Sequence, residues 1–323
     1  MVATVRIKET GGPSVLLVEQ FGEAMPGPRD VQIRQAAIGV NYLDVQQRTG
    51  AVPIPLPSGL GLEGAGTVSA IGSEVEGISV GDRVAYALGP IGAYSSSRIY
   101  PAERLIALPD TISFEDAAAV LFKGLTAQYL LKSTFPVTSG TVILLYGAAG
   151  AVGQLIASWA AHLGAQVIGV VSREGSVERA REAGCSDVLI WGRSEVPSEV
   201  ARLTGGRMVD VVYDGVGRRT FQASLDSLRV RGTMVSFGAS SGKPEPVDID
   251  LLNKKSLFLT RPGLAAHVDD AHEYRARSRD VLDAVSRRII KPNLWRAFPL
   301  NDVVDVHAML DRGETEGAII LRP

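Results

Sequence analysis

The 323-residue chain lacks most of what metal, disulfide or nucleic-acid chemistry needs. Cys185 is its only cysteine, so no intramolecular disulfide can form, which fits a reducing, cytoplasmic setting. Its four histidines, His162, His267, His272 and His307, include no pair at the i, i+4 spacing of a helical zinc site, and each is expected at the surface or in packing. No metal site is expected. Lys and Arg total 33 against 35 for Asp and Glu, with no run of five basic residues, so nothing is present to grip a phosphate backbone and nucleic acid is not an expected partner. No apolar stretch reaches the ~18 residues of a membrane span. The opening segment MVATVRIKETGG alternates like a strand and is unlike a signal peptide.

The most informative segment present is VILLYGAAGAVGQ, residues 142–154. An apolar strand, Val142 to Leu145, leads through a turn of glycine and alanine into an amphipathic helix from about Val152 to Leu163. Small residues let a backbone approach a pyrophosphate closely, and the helix N-terminus favours its charge. The spacing is AxGxxG, with Ala148, Gly150 and Gly153, so the first glycine of the usual pattern is an alanine. AQVIGVVSRE, residues 165–174, reads as the next strand of a βαβ unit and gives the glycine string the context it needs.

The first ~120 residues are short strands broken by Gly and Pro: VRIKE, VLLVEQF, VQIRQAAIGV, GTVSAIG, DRVAYAL and RLIALP. After Phe122 strands and helices alternate. Helices are expected at 124–133, 151–163, 176–183, 195–203 and 218–228, and strands at 141–146, 166–171, 187–191, 209–214 and 232–238. That order predicts an α/β fold with a parallel, doubly wound sheet. A further strand is expected at Leu257 to Thr260. The last 55 or so residues, with helices near 269–288 and 301–312 and a final strand GAIILRP, do not extend the alternation and are expected to return to the first domain.

The end of the second nucleotide-domain strand bears on cofactor choice. An acid about 20 residues beyond the glycine turn would bind the ribose hydroxyls of NAD, and Ser172-Arg173 stands there instead. A guanidinium pairs with a 2′-phosphate and a serine hydroxyl donates to it, so NADPH is the expected cofactor. Two more glycine clusters, YDGVG at 213–217 and FGASSG at 237–242, should lie at the carboxyl edge of the sheet, where ligands of doubly wound folds sit.

In sequence order, NYLDVQQRTG (41–50), GLEGAGTVSAIGSEVEGISVGDRVAYA (61–87), FKGLTAQYLL (122–131), YGAAGAVGQ, YDGVG, FGASSG and LTRP resemble the zinc-independent quinone oxidoreductases, the zeta-crystallin-like branch of the medium-chain dehydrogenase/reductases. The resemblance implies a chaperonin-10-like, β-rich catalytic domain (1–123 and 264–323), interrupted by a Rossmann domain (124–263), with NADPH in the cleft between them. It also implies a homodimer formed by pairing edge strands of two Rossmann sheets; Ser256 to Thr260 is the expected edge. Zinc-dependent relatives carry GHE where this chain has Gly61-Leu62-Glu63, and leucine cannot bind zinc.

Carried over position by position, the resemblance places Asn41, Tyr42 and Leu43 at the nicotinamide and Thr126 against the cofactor. Ala149, Gly150, Ala151, Val152 and Gly153 would hold the pyrophosphate. Phe237, Gly238, Ala239 and Ser240 would flank the nicotinamide. Three positions depart from the common family pattern: Gln46 and Trp191 replace tyrosines, and Ser176 replaces a lysine near the 2′-phosphate, which shifts that role to Arg173. Trp191 keeps a ring beside the adenosine, and Gln46 bears on the substrate. The implied activity is metal-free hydride transfer from NADPH to a quinone. Asn41 is a candidate donor to the acceptor oxygen, Lys123 a second candidate, and water an alternative proton source. Two other readings stand beside it: an enone or alkenal reductase, which Gln46 leaves open, and a crystallin-like cofactor-binding or RNA-binding protein with little turnover.

Overall fold

The computed structural model describes all residues, 1–323, and the chain divides into two compact units: Met1–Leu125 with Val268–Pro323, and Thr126–His267. The boundaries expected from the sequence lay at 123/124 and 263/264.

The first unit is β-rich. It opens with β1 (Val2–Ile7), β2 (Leu17–Phe21) and β3 (Asp30–Val40), followed by helix α1 (Tyr42–Thr49). Then come β4 (Ser58–Gly59), β5 (Glu63–Ile71), β6 (Arg83–Ala87), β7 (Ser97–Pro101) and β8 (Ile106–Ala107), before helix α2 (Phe114–Tyr129). Strand β3 is central: β5 pairs with it from Val31 to Gly39, β7 flanks the first half of its other side, and its end, Ile38 to Val40, pairs there with a strand from the C-terminus. Its buried and outward residues alternate until Ala37 and are all buried from there to Val40. Both the entry to α1 and the neighbouring Glu63 are thereby held in the interior.

Asn41 and Asp44 close a capping box around the start of α1, and Gly50 ends the helix in the left-handed region. Helix α2 begins ten residues before the expected 124, because Ser113 Oγ accepts the Asp116 N–H at 3.0 Å and Glu115 and Asp116 favour its first turn. An alanine run then carries it to Tyr129, and a π turn follows at Leu130–Thr134. Gly124 sits within α2 because a Cβ there would meet Val281 at 2.5 Å.

The second unit alternates as expected: β9 (Val142–Tyr146), α3 (Ala151–His162), β10 (Gln166–Val171), α4 (Val177–Glu182), β11 (Asp187–Ile190), α5 (Val196–Leu203), β12 (Val209–Asp214), α6 (Phe221–Ser227), β13 (Leu228–Ser236), α7 (Asp250–Asn253) and β14 (Phe258–Thr260). Its sheet is parallel throughout, in the order β11-β10-β9-β12-β13-β14. β9 and β12, next to each other, are buried at every residue, as strands covered on both faces must be. The strand order reverses at β9, so the crevice at the carboxyl ends of β9 and β12 is the topological switch point.

After His267 the chain is again part of the first unit, through α8 (Ala271–Ser286), β15 (Leu294–Pro299), α9 (Val303–Asp311) and β16 (Ala318–Arg322). β16 pairs with β3, and β15 forms the far edge of that seven-stranded sheet. The return of the C-terminal segment to the first domain was expected; β7 and α1 were not assigned from the sequence.

Candidate active site

In the first unit the chemistry gathers around Glu63, the first residue of β5, which has no exposed surface. Its Oε2 accepts Asn41 Nδ2 at 2.9 Å and Lys123 Nζ at 3.2 Å, and its Oε1 accepts the Phe122 N–H at 2.7 Å. Lys123 Nζ also donates to Asn41 Oδ1 at 2.8 Å. A carboxylate accepts and an ammonium donates, so the Asn41 amide has one possible orientation, with Oδ1 on Lys123 and Nδ2 on Glu63. The second Nδ2 hydrogen is not used by these bonds. Gly39 makes room for the carboxylate, since a Cβ there would lie 2.2 Å from Glu63 Oε2.

The structure therefore brings Asn41 and Lys123 into contact, through a residue the sequence singled out only by its neighbour Leu62. Tyr42 is exposed and Leu43 half-buried on the first turn of α1. Gln46 lies further along that helix, where its carbonyl accepts the Val52 N–H, and it bonds neither Asn41 nor Lys123. Leu62 is buried, and no group of three or more His, Cys, Asp or Glu comes together to hold a metal ion.

Beneath Asn41 lies a second buried network. Asp44 Oδ2 accepts the Asn41 N–H and the Tyr94 hydroxyl, both at 2.8 Å, and Tyr94 Oη lies 3.1 Å from His307 Nε2. Arg48, also buried, donates to both oxygens of Asp311 at 2.8 Å. Burial pushes the Asp44 carboxyl up to about 7, opposed in part by its bonds to Asn41 and Tyr94. Burial, with the charge of Arg48, pushes the His307 imidazole down to about 3.

In the second unit the turn between β9 and α3 holds Ala149 and Gly150, and the first turn of α3 holds Ala151, Val152 and Gly153. Gly147 and Ala148 donate to Val170 O on β10, and Gln154 Nε2 donates to Ala149 O, so the turn is tied on both sides. Gly150 is the N-cap of α3, with no side chain capping the helix and no acid in its first turn. That leaves the helix N-terminus available to an anion. Gly153 has to be glycine: a Cβ would sit 2.1 Å from Gly147 O. These features fit a pyrophosphate.

Ser172 and Arg173 follow β10, both exposed, and Arg173 Nε lies 3.4 Å from Ser176 Oγ. Trp191 follows β11, its N–H donating to Val171 O and its ring set edge-on to Tyr146. Thr126 is buried on α2. Phe237, Gly238, Ala239 and Ser240 follow β13 and are laced to the YDGVG turn: Ser240 N–H donates to Gly215 O and Ser241 N–H to Val216 O. Asp214 organises that turn, accepting from the Val216 and Gly217 N–H groups and from the Thr220 and Ser224 hydroxyls.

Residues 27–110 match the alcohol dehydrogenase GroES-like domain, and residues 151–269 match the domain described as zinc-binding dehydrogenase. Over their full lengths the chain and a quinone oxidoreductase of Pseudomonas aeruginosa are 42% identical. The chain belongs to the quinone oxidoreductase family. The family lies within the medium-chain dehydrogenase/reductases. A crystal structure of the Escherichia coli quinone oxidoreductase complexed with NADPH superimposes with a TM-score of 0.96, at 40% identity over 99% of this chain and all of that one. A 2-haloacrylate reductase from Burkholderia is also 40% identical, over all of this chain and 99% of its own length.

The fold expected from the resemblance, a chaperonin-10-like domain with a Rossmann domain, is the fold of this quinone oxidoreductase family member. Asp44, Glu63, Tyr94 and His307 were missed as a group because their spacing in sequence carries no pattern; only the GLE triplet offered a signal.

The raised Asp44 contributes stability that is full below its unfolded value near 4 and lost as pH rises to about 7. The lowered His307 contributes the opposite: stability present above its unfolded value of 6.5 and lost as pH falls toward 3. Between about pH 4 and 6.5 the two slopes cancel. Urea unfolding at pH 4.5, 5.5 and 6.5 should therefore show Asp44→Asn gaining stability with pH and His307→Gln losing it, relative to the parent, each by about 1.4 kcal/mol per pH unit. Parallel pH profiles for both variants would contradict this assignment of charge.

Proposed function

We propose that the chain is an NADPH-dependent quinone reductase. The full-length likeness to quinone oxidoreductases, one of them crystallised with NADPH, carries this reading. When bound, the cofactor supplies a hydride.

The uncapped N-terminus of α3 and the small residues Ala149 to Gly153 receive the pyrophosphate, with Phe237 to Ser240 and Asn41, Tyr42 and Leu43 at the nicotinamide. Arg173, with Ser172, takes the 2′-phosphate. A quinone is already electrophilic and spreads developing charge over a conjugated ring, so the protein has to supply juxtaposition and a fixed donor rather than a metal Lewis acid. We assign that role to Asn41, whose second Nδ2 hydrogen is left unused when Glu63 and Lys123 hold the rest of the amide. The bonds of Lys123 to both partners support a positioning role for it, which leaves the product's proton to come from solvent.

A second reading, reduction of an activated carbon–carbon double bond, is favoured by the 2-haloacrylate reductase among the relatives and by Gln46. No helix is long and apolar enough to cross a membrane. We further propose a homodimer through β14: it is the edge of the parallel sheet and presents Phe258 at 62% exposure, with Ile249 and Leu251 exposed just before it. An open apolar edge of this kind invites pairing with its symmetry mate.

Steady-state NADPH oxidation, after exhaustive zinc chelation, should proceed with a panel of quinones and be slower with enals and haloacrylates. Activated alkenes turned over far better than every quinone would establish the second reading, and activity lost on chelation and restored by zinc would refute metal-free turnover. Arg173→Ala should raise KM for NADPH at least tenfold, the loss of a charge-assisted contact worth about 1.5–3 kcal/mol, and leave NADH nearly unchanged; equal losses with both cofactors would count against Arg173. Light scattering on dilute protein should return about twice the chain mass, and a stable monomer would rule the dimer out.

A further inference from the structure

Immediately beyond Arg173 the chain carries an acid, Glu174, where a 2′-phosphate would sit under the reading above. A dianion facing one guanidinium with a carboxylate beside it would meet no net positive charge. The structure supplies the missing charge from a different strand. Arg193 Nη2 pairs with Glu174 Oε2 across from the loop that follows β11. That loop is anchored: Trp191 N–H donates to Val171 O at 2.8 Å, Trp191 packs edge-on to Tyr146, Arg193 N–H donates to Ile190 O, and Trp191 bridges to Ser194. The Arg193 guanidinium thus pairs with the residue that directly follows Arg173 beyond the carboxyl end of β10.

Both partners are well exposed, at 61% for Arg193 and 69% for Glu174. Such a pair contributes little to stability and is readily exchanged. A phosphate, with more charge and three acceptor oxygens, is a better partner for a guanidinium than one carboxylate. We propose that Arg193 is a second ligand of the 2′-phosphate and that Glu174 holds its place, the two anions competing for one guanidinium. The inference rests on NADPH being the cofactor.

Isothermal titration of the full chain with 2′,5′-ADP and with 5′-ADP tests it without turnover. The parent should bind 2′,5′-ADP the more tightly. Arg193→Ala should weaken 2′,5′-ADP about tenfold and leave 5′-ADP unchanged, whereas Glu174→Gln should tighten 2′,5′-ADP severalfold by removing the competitor. The double variant decides between ligation and mere neutralisation of Glu174. If Arg193 is a ligand, the double variant stays at least fivefold weaker than Glu174→Gln alone. A double variant that binds as tightly as Glu174→Gln alone, or an Arg193→Ala variant that binds like the parent, overturns the proposal while the cofactor reading stands. A parent that does not distinguish 2′,5′-ADP from 5′-ADP overturns both.

Discussion

A carboxylate with no access to water has to find a donor for each oxygen, and at Glu63 this requirement organises the catalytic half of the molecule. Its donors come from the end of β3, from α2 and from the backbone of Phe122. Removing any one would leave a buried charge short of a partner, so Asn41 and Lys123 are held as firmly as the carboxylate itself. The amide of Asn41 is then orientated by chemistry rather than by packing. If Asn41 is the donor proposed above, hydride transfer to a quinone, which needs little more from the protein than a donor in a fixed place, is served economically.

The nucleotide-binding half works by the opposite means, omission. Between β9 and α3 no side chain larger than a methyl group precedes Val152, and no acid or capping group competes for the first N–H groups of the helix. At the end of β10 the acid that would hold ribose hydroxyls is replaced by Ser172 and Arg173. The one acid nearby, Glu174, is neutralised by Arg193. Under the proposed reading, an anion-binding surface is obtained here from what the backbone leaves exposed and from the two arginines at its rim.

The legible parts of the sequence were those whose physics is local. The alternation of apolar strands and amphipathic helices after Phe122, the AxGxxG turn and the glycine clusters after β12 and β13 are each set by neighbouring residues, and each lies where the pattern put it. Helix α2 was read too short because its signal, Ser113 capping Asp116, precedes the alanine run and not the more amphipathic residues after Gly124. The environment of Asn41 was not legible. Glu63 is 22 residues from Asn41 and 60 from Lys123, and His307 is 213 from Tyr94, distances over which only the folded chain brings side chains together. Family resemblance pointed to Asn41, but not to the carboxylate that orients it. Arg193 escaped notice for a related reason: an arginine in a loop carries no signal until its neighbour across the sheet is known.

The lacing of the YDGVG and FGASSG loops bears on how this part of the molecule can change over evolutionary time. Asp214 closes the first loop with four bonds, and the second is sewn to it by Ser240, Ser241 and the Arg218 N–H on Gly242 O. The two loops, separated by 19 residues of chain, are thus joined by backbone hydrogen bonds. Substitutions in one are felt by the other, so their effects should be non-additive, and a loop transplanted singly from a relative brings only half of its supporting bonds. Variation in these two loops is therefore confined to changes that both accept together.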